Sequence, residues 1–132
     1  MKSRIRNSVA KIAIGVNIES EKAVKIEEIC RKENVVFKPV QADNGGEQIG
    51  YLCGYKGFEK CKKIESTDKE CLLFSTCDNK TINKILAMMR ESGCTVDLKA
   101  MVTATNQSWT LCKLAEQLFE EHTQMNGGEK NG

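Results

Sequence analysis

The chain has 132 residues, of which 40% are hydrophobic and 29% charged, and a formal net charge of +2. That length and mixture fit one globular domain with a buried core and leave little room for a second. A net charge this small gives no reason to expect a nucleic-acid or membrane partner.

In chain order, Val9 to Val16 reads as a strand: Ile12, Ile14 and Val16 alternate with Lys11, Ala13 and Gly15, small enough for a strand covered on both faces. Asn17 to Ser20 supplies turn and cap residues, and a helix is expected to about Glu33, with Ala23, Val24, Ile26, Ile29 and Cys30 on one stripe. Glu21 near its start and Arg31 and Lys32 near its end suit the helix dipole. Val35 to Val40 is a second strand. Pro39 lacks an amide donor and places it at a sheet edge.

Residues 41–70 carry a turn cluster at Asp43-Asn44-Gly45-Gly46, then one or two helical turns over Gln48 to Cys53, stopped by Gly54. Cys71 to Thr76 is an apolar, central strand. Asp78 caps the next helix, which runs through Ile82, Ile85, Leu86 and Met89 to a stop at Gly93. Val96, Leu98, Ala100 and Val102 alternate with Asp97, Lys99, Met101 and Thr103 as a half-buried strand. Thr105 or Asn106 then caps a last helix with Leu111, Leu114, Ala115, Leu118 and His122 along its buried side. The domain is read as 1–125. The stretch 126–132, Asn126 to Gly132, has no apolar anchor and is expected to be a disordered tail.

This order, βαβ, a long connection, then βαβα, is an α/β class. The first of two sheets is mostly parallel, in order 2-1-3-4, and in its fullest form has all four strands parallel with the connection crossing the opposite face. The second is a ferredoxin-like βαββαβ two-layer sandwich plus a C-terminal helix. The length of the connection favours the first.

Seven cysteines, at 30, 53, 61, 71, 77, 94 and 112, make an odd number without a C-x-x-C. Their spacing fits no structural zinc site, so no metal and no cofactor are expected, and Cys30, Cys71 and Cys112 sit among apolar neighbours as small hydrophobes. The basic start, Lys2, Arg4, Arg6 and Lys11, precedes an apolar run too short for an export signal, and free thiols suit a reducing cytoplasm. Neither this cluster nor Lys60, Lys62 and Lys63 is interleaved with aromatic rings, so nucleic acid is not the expected partner.

Three stretches together resemble a known family. They are Gln48-Ile49-Gly50-Tyr51-Leu52-Cys53-Gly54, then Lys99-Ala100-Met101-Val102-Thr103-Ala104-Thr105-Asn106 with Trp109, and Glu116 to Glu121-His122. The chain is similar, from about Val9 to His122, to the prokaryotic domain of unknown function 3783. That family has Pro where Ala104 stands here, so this turn is less rigid. The resemblance implies one intact domain and brings no activity, substrate or cofactor with it.

In a parallel sheet, ligands bind beyond the carboxyl ends of the strands. That edge would collect Asn17, the group Ser75, Thr76, Cys77 and Asp78, and the group Thr103, Thr105 and Asn106, beside three helix N-termini suited to an anion. Trp109 could wall a pocket there, and Tyr51 and Tyr55 could close over it. The competing structural role is helix capping. In the ferredoxin-like sheet, Asn17 moves to the far end. Cys77 at a helix N-terminus could be an activated thiol, although His122, the sole histidine, is expected at the far end of the last helix. The expected function is a non-catalytic accessory or regulatory domain that binds a small anionic ligand or a protein partner. The alternative is a small thiol-dependent enzyme using Cys77 near the Thr103–Asn106 turn.

Overall fold

The computed structural model describes residues 11–61 and 65–131, with side chains described as far as Thr123. The expected strand start at Val9, the basic residues Lys2, Arg4 and Arg6, the pair Lys62 and Lys63, and Gly132 lie outside the described residues.

The elements are β1 (Ile12–Val16), α1 (Ser20–Lys32), β2 (Val36–Val40), α2 (Ile49–Leu52), β3 (Cys71–Ser75), α3 (Asn79–Ser92), β4 (Leu98–Met101) and α4 (Leu111–Asn131). The helical backbone of α4 continues into the 126–132 stretch that composition marks as unstructured. The sheet is four-stranded in the order β2-β1-β3-β4. β2 pairs parallel to β1, and β4 parallel to β3. The expected order and the mostly parallel α/β class are found.

One junction departs from the all-parallel form: β3 runs antiparallel to β1, with Ile12 opposite Ser75 and Val16 opposite Cys71. The reason is where the connection begins and ends. Val16 is the neighbour of both Val40, where β2 stops, and Cys71, where β3 starts. The connection leaves and returns at the same end of the sheet, so no crossover is needed and β3 sets off in the opposite direction. The ferredoxin-like order is not adopted either, because each βαβ unit keeps its two strands adjacent.

The two units repeat each other. β1 leads to Asn17 with a positive φ of 57°, and β3 leads to Thr76 with φ of 58°, each at the same step before its helix. α1 and α3 cover one face of the sheet, burying Ile26, Ile29, Ile82, Ile85 and Met89 against Ala13, Leu72 and Phe74. Val24, expected on this stripe, is instead 55% exposed. Gly15 makes room here, since a Cβ on it would stand 2.5 Å from the Phe37 ring. The other face carries Ile12, Ile14, Val16, Cys71, Leu73 and Leu98, covered by Leu111, Leu114 and Ala115 of α4 and by Ile49, Leu52 and Cys53 of the connection.

Local chemistry sets the element ends. The Asp78 carboxylate accepts the Thr81 amide at 2.9 Å and caps α3, and Gly93, with φ of 70°, ends it. α4 begins later than expected. Thr105 and Asn106 belong to a separate single turn, Asn106–Ser108, and the hydroxyl that accepts an amide from the first turn of α4 is that of Thr110, from Lys113 at 3.2 Å. The carbonyls of Glu47 and Gly45 accept the amides of Leu111 and Cys112, both at 2.9 Å, so the connection completes the start of this helix.

Candidate functional site

The rim beyond β3 and β4 assembles from three separate segments. The Val102 amide donates to the Phe74 carbonyl at 2.8 Å, carrying the β3–β4 ladder one step past the strands. The chain then turns through a reciprocal pair of bonds: the Thr103 amide donates to Asn106 Oδ1 at 2.8 Å, and the Asn106 amide donates to Thr103 Oγ1 at 3.0 Å. Asn106 Nδ2 also donates to the Met101 carbonyl at 3.1 Å. Both ends of this buried amide are thus used in holding the turn. Its role here is structural.

The connection supplies the third segment. The Ile49 amide donates to the Trp109 carbonyl at 2.9 Å, and Gln48 Nε2 donates to the Ser108 carbonyl at 2.8 Å. Tyr51 and Trp109 therefore meet the same rim, both half-buried against the core that α4 covers. Trp109 lies in extended backbone just before α4 rather than in its first turn, and the Lys113 ammonium stands 4.6 Å from the centre of its ring. Tyr55 is no lid. Its hydroxyl is 2.6 Å from Ser75 Oγ, which is wholly buried at the end of β3. Cys53 lies beside both hydroxyls, and burial raises the pKa of its thiol and of the Tyr55 phenol.

Of the residues expected at this edge, Ser75, Thr76, Thr103, Thr105, Asn106, Trp109 and Tyr51 lie along it, with Thr76, Thr103 and Thr105 exposed. Thr76 is held at positive φ, an unfavourable region for a β-branched residue, and its hydroxyl donates to the Ser75 carbonyl at 2.6 Å. Asn17 is not part of the rim. Because β1 and β3 are antiparallel, it stands at the opposite end, where its Nδ2 donates to the carbonyls of Thr67 at 2.8 Å and Lys69 at 3.0 Å. Those bonds fasten the connection as it enters β3.

Cys77 turns to the other face, into the core under α1 and α3. Its thiol is 3.5 Å from the Ser75 carbonyl and 3.9 Å from that of Ile12, and burial raises its pKa, outweighing the attraction of Lys11. Burial therefore raises this thiol, the opposite of the lowering expected for a cysteine at a helix N-terminus. Cys30 and Cys71 are pushed further, both to about 12, again mainly by burial. Cys112, expected among apolar neighbours, is half-exposed, with its thiol donating to the Ser66 carbonyl at 3.3 Å.

Sequence reasoning missed the far end of β4. A cavity of about 300 Å³ opens there between Asp68, Lys69, Glu70, Asp97 and Leu98 and the α4 residues Phe119 and His122. A second, of about 280 Å³, lies between α3 and the start of β4. Only the alternation of charged and apolar residues over 95–99 hints at either. Among the described residues, no group of three or more His, Cys, Asp or Glu side chains is placed to hold a metal ion, and no helix is long and apolar enough to cross a membrane.

Residues 70–125 match the model of a domain of unknown function, DUF3783. The matched stretch is the second βαβ unit with the rim turn and most of α4, and it contains the Thr-x-Thr-Asn-x-x-Trp and Glu-His segments. The Gly50-Tyr51-Leu52 segment and the first βαβ unit lie outside it. Neither the curated proteins nor the solved structures contain a match.

Proposed function

We propose that this domain is a non-catalytic binding module with an accessory or regulatory role, and that the β3/β4 rim is the surface through which it contacts a protein partner. The observation behind this reading is that three chain segments are locked into one preformed rim by the Tyr55–Ser75, Ile49–Trp109 and Thr103–Asn106 bonds. That rim presents half-exposed Tyr51 and Trp109 beside the exposed hydroxyls of Thr76, Thr103 and Thr105. Large rings on a rigid support are what protein contacts use, since little entropy is lost on binding. A small anion is the weaker choice for this rim because the start of α3 already holds the Asp78 carboxylate, which would repel it.

The test places a photo-crosslinking residue at Thr105, and separately at Lys84 on the exposed side of α3, in cells expressing the full chain. A discrete protein adduct formed from position 105, absent from position 84 and lost when Trp109→Ala is added, supports the reading. Equal adducts from both positions would overturn it, as would a thermal shift by inorganic phosphate that Thr103→Val abolishes.

A further inference from the structure

We infer that the cavity between α3 and the start of β4 is a binding site for a small monocarboxylate with an apolar body. Its volume of about 280 Å³ is close to the lower end of the range for small-molecule sites, roughly 300–1,000 Å³. Part of the lining is apolar, with half-buried Leu86 above Met89 and Val96, which are 1% exposed and close the cavity from beneath, and exposed Thr95 beside them. The mouth is charged, with Arg90, Asp97 and Lys99 all exposed. Lys99 does not stretch away into solvent, because its Nζ donates to the Val96 carbonyl at 2.7 Å, which keeps the ammonium over the cavity.

The charges select the ligand class. A guanidinium offers a planar fork that a carboxylate accepts in two parallel bonds, and an ammonium beside it adds a point charge. Asp97 subtracts one charge, leaving a single net positive charge at the mouth, which matches a monoanion and disfavours a phosphate ester. The apolar floor adds the second requirement, a hydrocarbon or aromatic body that leaves water on entering. Neither end suffices alone. The site is at the N-terminal end of β4, whereas the proposed protein-binding rim follows its C-terminal end, so the two readings stand or fall separately.

The experiment is a titration of the ¹⁵N-labelled full chain with phenylacetate, acetate and inorganic phosphate. Saturable shifts of the Met89, Val96 and Lys99 amides with phenylacetate are expected, with no saturation by acetate or phosphate over the same range. Arg90→Gln, an exposed substitution, is expected to weaken phenylacetate binding about tenfold, the scale of one charge-assisted contact, with the amide spectrum otherwise preserved. Absence of saturable shifts would overturn the proposal. Saturation by phosphate at the same amides, or unchanged affinity in Arg90→Gln, would overturn it as well.

Discussion

The hydroxyls of Tyr55 and Ser75, at 2.6 Å, join the middle of the connection to the end of the central strand β3. The two partners are unequal, because Ser75 is wholly buried while Tyr55 is half-exposed. Tyr55→Phe strands a buried hydroxyl and should cost about 1–2 kcal/mol, whereas Ser75→Ala lets the phenol turn to water and should cost less. Urea unfolding of the two variants gives the comparison. Equal losses would contradict this account of the bond.

Thr76 holds a left-handed backbone conformation that its branched side chain disfavours. Thr76→Gly removes that conflict and forfeits the hydroxyl bond to the Ser75 carbonyl together with the other contacts of the side chain. The expected balance is a gain of about 0.5–1 kcal/mol in unfolding free energy. A destabilised variant would mean that the hydroxyl outweighs the strain.

At the start of α3, hydrogen bonds from Thr81 hold the Asp78 carboxyl below its usual pKa. A depressed folded-state value means stability present above the unfolded pKa, near 4, and lost as the pH falls through the folded one. Asp78→Ala should therefore lower the melting temperature at neutral pH and flatten the decline between about pH 5 and pH 3. Parallel melting curves for the two proteins across that interval would exclude a titrating cap.

Thiol reactivity should follow exposure. Iodoacetamide near neutral pH is expected to modify half-exposed Cys61 and Cys112 first, and buried Cys30, Cys71 and Cys77 only as the chain unfolds. Peptide mapping of a time course reads the order directly. Rapid, selective alkylation of Cys77 would revive the thiol-enzyme reading.

What could be read without coordinates was local. Pro39 marked β2 as an edge, Asp78 and Gly93 bounded α3, and Gln48 to Gly54 outlined the short α2, each through backbone chemistry confined to a few neighbouring residues. The direction of β3 was not legible, because Cys-Leu-Leu-Phe-Ser is apolar towards both faces and says only that the strand is central. Asn17 settles beside Thr67 and Lys69, far along the chain, and no neighbour of Asn17 announces it. The start of α4 was ambiguous for a related reason. Several hydroxyl and amide residues precede it, and the carbonyls of Gly45 and Glu47 complete the turn that Thr110 caps. Of the rim, Thr103–Asn106 was visible as turn chemistry, while the Tyr55–Ser75 bond joins residues that share no local pattern.

The repeated βαβ units meet in the sheet through a single antiparallel ladder, β1 against β3. If a nick in residues 54–61 let the halves drift apart, β1 would show solvent a bare row of amides and carbonyls, flanked on one side by Ile12, Ile14 and Val16. Such an edge is a template for another strand. A cleaved chain should consequently aggregate, with the seam between its halves as the adhesive surface.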